Sequence, residues 1–322
     1  MDSTENFYFK MFAILGVAFL IWVFGAPFKD KPSVDDEGQK YQLKGTPAAL
    51  TNFAPPRLVV FDDSANVLPK RNWSISALEL QAEAVVAMRI DGGRIYYNKN
   101  MEVRRPIASL TKLMTAIIVL ENYNLNDVIK ISRNNIEPEG SKDDLRFGEL
   151  ITARSLLNIM LINSSNNSAL ALADGSPDFI SLMNKKTKNL GLYNTHFTNP
   201  DGVDNEKNYS SALDAAKIFS YLINTYPEAL TILKTKNTVV YSSDGKIEHR
   251  LSNTNELLGR ISEVVAGKTG YTDKAGGSLI LIISDLNFGN KENIITVVLG
   301  SPDRFGESEK LIEWLKKAYI WN

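Results

Sequence analysis

The 322-residue chain is 44% hydrophobic and 23% charged, an ordinary globular balance with enough apolar mass for a substantial core. Its formal net charge of -1 offers no basic field for nucleic acid, and the lack of any cysteine excludes disulfides, thiol catalysis and thiolate-held metals. An exported protein can lack disulfides, so cysteine usage leaves the compartment open.

Met11 to Ala26 is almost wholly apolar. With Phe7, Tyr8, Phe9 and Phe28 the stretch reaches about the 20 residues a membrane helix needs, and Lys10 can snorkel to the interface. Residues 1–28 therefore read as an N-terminal transmembrane anchor. A cleaved signal fits less well: the start, Met1-Asp-Ser-Thr-Glu-Asn6, is not a positive n-region, and Val23-Phe-Gly25 is a mediocre cleavage site. Lysines flank both ends, so the positive-inside rule does not set the orientation. Residues 29–73, rich in Pro, Asp and Lys, read as a tether, with Leu58-Val-Val-Phe61 as a weak strand signal inside it.

The compact domain is expected over residues 74–322. Ala84-Val-Val-Ala-Met-Arg-Ile90 and Arg94-Ile-Tyr-Tyr97 flank Asp91-Gly92-Gly93, a β-hairpin signal. From Pro106 the pattern turns helical, with Leu110, Leu113, Met114, Ile117, Ile118 and Leu120 at helical spacing. Further helices are expected over Thr152–Met160 and from Asn166. Leu279–Ile283 and Ile294–Leu299 read as adjacent strands across a polar turn, and Ser308–Trp321 as a closing helix with Leu311, Trp314, Leu315, Ala318 and Tyr319 on its core face. Strands at both ends with helices between them predict an α+β fold, an antiparallel sheet packed against a helical cluster.

Three short strings carry the chemistry: Ser109-Leu-Thr-Lys112, Ser164-Ser-Asn166 and Lys268-Thr-Gly270. Three apart on a helix, Ser109 and Lys112 share a face, with Cβ atoms about 5–6 Å apart. A neutral lysine there can take the serine proton; burial and a second cation, Lys268, would both lower its pKa. Ser109 lies early in its helix, where the positive dipole end favours a developing oxyanion. Each string alone is weak. Ser-x-x-Lys recurs at Ser243-Asp-Gly-Lys246, where Asp-Gly reads as a turn without the helix that aligns the pair. Ser-x-Asn begins at Ser64, Ser132, Ser164 and Ser165 alike. Lys-Thr-Gly occurs once, in Gly267-Lys-Thr-Gly-Tyr-Thr272, which can form an edge strand. The two histidines are poor candidates for a triad base: His196 reads as structural in a turn-rich segment, and His249, in Lys246-Ile-Glu-His-Arg250, as a solvated side chain. No metal constellation or phosphate loop stands out, so no cofactor is expected.

In that order, with their flanks, the strings resemble the serine-type D-alanyl-D-alanine carboxypeptidases of the low-molecular-mass penicillin-binding group (peptidase S11-like), the motif set shared with serine β-lactamases. Matching stretches run from about Ala84 to Trp314. They include Arg104-Arg-Pro-Ile-Ala-Ser-Leu-Thr-Lys-Leu-Met-Thr-Ala116, Thr195-His-Phe-Thr-Asn-Pro-Asp-Gly202, Asn253-Thr-Asn255 and Ala275-Gly276. The resemblance implies a β-lactamase/DD-peptidase-like fold. It implies that Ser109 attacks the amide between two terminal D-alanines, Lys112 accepts its proton and Ser164 relays a proton to the leaving group. Asn166 would hold the substrate amide. Lys268 and Thr269, helped by Arg304, would bind the terminal carboxylate beside Gly270. Backbone N–H groups of Ser109 and Tyr271 would form the oxyanion hole. The implied partners are a peptidoglycan stem peptide ending in D-Ala-D-Ala and, as covalent inhibitors, β-lactams. The implied location is the outer face of a cell membrane, in the periplasm or extracellular, held by the N-terminal segment; no nucleic-acid partner is expected.

Two departures stand out: Ser165 where the family often has glycine, and Asp201 where some members carry histidine. The same parts suit a DD-endopeptidase. A class A β-lactamase would need an added glutamate for deacylation, and no Glu-x-x-Leu-Asn string lies between Ser164 and Lys268. A non-catalytic cell-wall sensor would have no need of an activated nucleophile.

Overall fold

The computed structural model describes residues 69–136, 145–286 and 292–321. The expected anchor, most of the tether and the strand signal at Leu58–Phe61 lie outside these residues. Among the described residues no helix is long and apolar enough to cross a membrane.

The chain opens with β1 (Lys70–Arg71), β2 (Ala84–Arg89) and β3 (Ile95–Lys99), the last two joined by the expected hairpin with Gly92 at φ 79°. A 3₁₀ turn, Ala108–Thr111, leads directly into α1 (Lys112–Asn122). The order continues β4 (Val128–Lys130), β5 (Leu150–Thr152), α2 (Ala153–Ile162), α3 (Asn166–Asp174), α4 (Phe179–Asn189), α5 (Ala212–Thr225) and α6 (Pro227–Leu233). It closes with β6 (Asn237–Tyr241), β7 (Glu248–Ser252), β8 (Val264–Thr272), β9 (Gly276–Ile283), β10 (Ile294–Ser301), α7 (Arg304–Ala318) and β11 (Tyr319–Ile320).

The main sheet has the order β3-β2-β10-β9-β8, antiparallel throughout. Both faces are covered. Val86, Met88, Ile280, Ile282, Ile295 and Val297 face the helical cluster, whereas Val85, Ala87, Leu279, Leu281 and Val298 pack on Leu311, Ile312 and Leu315 of α7. A sheet covered on two sides explains why β2, β9 and β10 are near-continuous apolar runs rather than alternating ones. Helix α1 is buried along Lys112–Val119, the signature of a helix enclosed by others.

Three expectations are corrected. The closing helix starts at Arg304, not Ser308, because Asp303 accepts from the Gly306 N–H (2.9 Å) and caps it there. It ends at Ala318, and the chain turns into β11, which pairs with β1; Lys70 and Arg71 thus belong to the fold although they precede Ser74. His249 is 1% exposed and its Nε2 lies 2.6 Å from Glu149 Oε1. Its alternating strand neighbours are solvated, but β7 turns His249 and Leu251 inward.

Candidate active site

The site forms where four segments converge: the 3₁₀ turn, the link between α2 and α3, the loop 199–204 and the edge strand β8. Ser109 sits in the 3₁₀ turn, one residue after Ala108, whose φ of 48° is in the left-handed region. The serine therefore precedes α1 by less than one turn, and Lys112 is the first residue of that helix. The expected pairing is made: Lys112 Nζ lies 2.9 Å from Ser109 Oγ. The lysine is 0% exposed. Its amine also donates to Asn166 Oδ1 (2.7 Å) and to the carbonyl of Asp201 (2.5 Å).

Ser164 occupies the link between α2 and α3 with φ 66°, a conformation that costs a non-glycine residue free energy and is typical of functional sites. Its Oγ accepts from Lys268 Nζ at 2.7 Å. Lys268, 1% exposed, also reaches the Thr269 carbonyl. Two serine–lysine pairs thus form from three places in the chain. Ser165 does not intrude: its Oγ accepts from the Ser168 N–H (2.9 Å) and caps α3, so the departure from glycine is absorbed as a helix cap.

Strand β8 lies at the sheet edge, alongside the 3₁₀ turn. Thr269 and Gly270 are buried, whereas Tyr271 is 63% exposed. A Cβ on Gly270 would stand 3.0 Å from the Ile107 carbonyl oxygen and 3.1 Å from Ser109 N, so a side chain there would push the strand and the nucleophile's backbone apart by a few tenths of an ångström. Arg304, at the start of α7, donates to the Gly270 carbonyl (3.2 Å). Burial pulls its pKa below the usual guanidinium value, opposed by the carboxylate of Glu256.

Neither histidine hydrogen-bonds with Ser109: His196 Nδ1 lies beside the Lys207 carbonyl and His249 pairs with Glu149. The second Ser-x-x-Lys string falls in the β6–β7 turn, where Lys246 pairs with Asp244 at 3.2 Å. Sequence reasoning missed two contributors. One is the Asp201 carbonyl, presented by a loop in which Asn199 Oδ1 accepts from the Gly202 N–H (2.8 Å). The other is Thr254, whose hydroxyl meets that of Thr269 at 2.6 Å. Pro200 and Gly202 signal the turn, but a backbone oxygen leaves no residue-type signature.

This constellation places the chain among proteins built on a Ser–Lys pair instead of a Ser–His–Asp triad. Residues 71–303 match the Peptidase S11 family, described as D-alanyl-D-alanine carboxypeptidase, and the chain belongs to that family. It is 34% identical over 256 residues to the D-alanyl-D-alanine carboxypeptidase DacF of Bacillus subtilis, covering 76% of this chain and 64% of the relative. A D-alanyl-D-alanine endopeptidase of Pseudomonas aeruginosa is 28% identical, with 80% of this chain and 84% of the relative covered. The chain spans 61–64% of the length of the first three curated carboxypeptidases it matches. Among solved structures, the Streptomyces K15 DD-transpeptidase superposes with a TM-score of 0.69 at 30% identity, covering 75% of this chain and 99% of that one.

Proposed function

We propose that this protein is a serine D-Ala-D-Ala carboxypeptidase that trims peptidoglycan stem peptides through a Ser109 acyl-enzyme. One observation carries the reading: the Lys112 amine lies 2.9 Å from Ser109 Oγ while held by Asn166 and the Asp201 carbonyl. As Ser109 Oγ bonds to the carbonyl carbon of the penultimate D-alanine, its proton passes to Lys112. The developing oxyanion is met by the N–H groups of Ser109 and Tyr271. Collapse breaks the C–N bond; the proton that Lys112 took is relayed through Ser164, which is linked to Lys268, to the leaving amine, and Lys112 is neutral again. Lys268, Thr269 and Arg304 form the cationic and hydroxyl end of the cleft that would receive the terminal carboxylate. Water then attacks the ester carbonyl carbon as neutral Lys112 takes its proton; the bond to Ser109 Oγ breaks, and Lys112 returns that proton to the serine. A β-lactam would acylate the same serine.

The relatives bear the names carboxypeptidase, endopeptidase and transpeptidase. All three reactions share the acyl-enzyme and differ in the leaving group or in the acceptor. The endopeptidase reading is the runner-up, supported by the greater share of that relative the chain covers. We place the catalytic unit on the outer face of a membrane, tethered by the apolar residues 11–26; protease access to intact and lysed cells tests that placement.

Free D-alanine released from a Lys-D-Ala-D-Ala peptide tests the activity. Release and covalent penicillin labelling should both vanish in Ser109→Ala and persist in Ser243→Ala. Labelling that survives in Ser109→Ala would remove the assignment. Turnover of cross-linked muropeptides without release from the tripeptide would move it to the endopeptidase.

A further inference from the structure

The backbone N–H of Ser109 is pressed from two sides by glycines. On one side is Gly202 of the loop 199–204: a Cβ there would collide with the Ala108 carbonyl and stand 3.0 Å from Ser109 N. On the other is Gly270 of β8, whose Cβ would stand 3.1 Å from the same nitrogen. Two residues beyond each glycine, the same two segments are tied to one another: Thr272 Oγ1 donates to Asp204 Oδ1 at 2.6 Å. The Thr272 hydroxyl also accepts the Ala275 N–H (3.0 Å) in the β8–β9 turn. Its single proton is thereby aimed at Asp204. Tyr271, between Gly270 and Thr272, lies on the tethered stretch. β8 is an edge strand, with a paired neighbour, β9, on one side only. Off its unpaired edge it is placed by side-chain contacts: Thr272 to Asp204 at one end, and Lys268 to Ser164 and Thr269 to Thr254 further back along the strand.

We propose that Asp204 and Thr272 form a positioning clamp that sets the spacing of the Ser109 and Tyr271 N–H groups, and so the width of the oxyanion hole. Both residues act through the backbone they hold, Thr272 through β8 and Asp204 through the loop 199–204. The inference rests on the acyl-transfer reading above and deepens it: the clamp acts on the transition state, not on ground-state binding. Removing one oxyanion donor costs about 10²–10³ in rate. Loosening one without removing it should cost less, about 10–100-fold by the same scale.

The test is stopped-flow acylation of the full-length protein by a fluorescent penicillin, resolving the pre-covalent dissociation constant from the acylation rate constant. Thr272→Val removes the donor at constant shape and Asp204→Ala removes the acceptor. Thr272→Ser and Asp204→Asn retain the bond. The clamp predicts an acylation rate constant reduced about 10–100-fold in the first two, an almost unchanged dissociation constant, and near-wild-type rates in the conservative pair. The Asp204→Ala, Thr272→Val double variant should be no slower than the slower single variant. Acylation of Thr272→Val within twofold of wild type overturns the clamp, as does additive loss in the double variant. Equal loss in Thr272→Ser and Thr272→Val also overturns it, because a shape effect would then be sufficient. If either disrupting variant fails to fold, the comparison of Asp204→Asn with the remaining one decides by the same criteria. A wild-type protein that takes up no penicillin overturns the acyl-transfer reading, and the clamp with it.

Discussion

Among the described residues three acceptors lie within hydrogen-bond range of Lys112 Nζ, and an ammonium can donate to all of them. A neutral amine has two protons and one lone pair. The Asp201 carbonyl can only accept, and Asn166 presents its amide oxygen, so these two partners take the two protons. The lone pair is left for Ser109, whose hydroxyl reverses its role and donates. One arrangement of heavy atoms therefore satisfies both protonation states, and only the neutral one can accept the serine proton. The sign of the pH dependence follows. As pH falls, Lys112 protonates and acylation slows; as pH rises, the neutral fraction and the rate increase to a plateau. A plot of log acylation rate against pH should show an acid limb of unit slope. Lys112→Arg keeps the positive charge but cannot be deprotonated, and should lose about 10²–10⁴ in rate at every pH. A wild-type profile flat from acid to alkaline pH would contradict a lysine base.

At the scale of elements, the site depends on how closely the loop 199–204 and β8 approach the 3₁₀ turn, and glycine sets that approach. Gly202 has φ 90° and its missing Cβ leaves room for the Ala108 carbonyl. Gly202→Ala adds backbone strain of about 1–3 kcal/mol and must displace Ala108 or the loop, moving Ser109 N or the Asp201 carbonyl. Acylation should fall at least about tenfold by the cost of misplacing reacting groups. Gly245 is the internal control: φ is 72° in the β6–β7 turn, with no heavy atom near its absent Cβ. Gly245→Ala should cost about 1 kcal/mol in stability and leave acylation unchanged. Equal acylation by the two variants would show that close packing at Gly202 does not govern the site. The three motifs were legible because each uses side-chain chemistry at a fixed spacing, β2, α1, β9 and β10 because burial leaves apolar runs, and β3, in which only Tyr96 is buried, because the Asp91-Gly92-Gly93 turn announces it. Residues 179–252, where no element was assigned, form α4, α5, α6 and a hairpin. α5 does carry signals, with Ser211 as its cap and Ala215, Ile218, Phe219 and Leu222 as its buried face. The hairpin alternates weakly because His249 is an inward-facing polar residue.

At the scale of the molecule, the least legible features are those that join distant parts of the chain. β1 and β11 are two residues each and pair across nearly the whole described length, so no local period announces them. What holds them is an aromatic cluster: Tyr319 meets the Tyr96 ring edge-on at 5.1 Å and donates to the Tyr96 carbonyl, and Trp321 Nε1 donates to the Leu315 carbonyl at 3.1 Å. Both side chains are largely buried on the α7 side of the sheet, in the apolar cluster opposite the helices. Ser109, Lys112 and Ser164 depend instead on the helical side and the edge of β8. Stability and chemistry should therefore separate. A chain ending at Ala318 loses two buried aromatic side chains, at about 3–5 kcal/mol each for full truncation in a core. Partial relaxation makes a total on the order of 5 kcal/mol reasonable, a large share of a typical stability of about 5–15 kcal/mol. The thermal midpoint should drop by roughly 10–20 °C. Below that midpoint the penicillin acylation rate should stay within about twofold of the full chain, since mutational effects at separated sites rarely couple by more than about 0.5 kcal/mol. An unchanged midpoint would show that the cluster contributes little. A rate that falls together with the midpoint would mean that the α7 side of the sheet transmits its packing to β8, with Arg304, which bonds the Gly270 carbonyl from the first turn of α7, as the residue placed to carry that coupling.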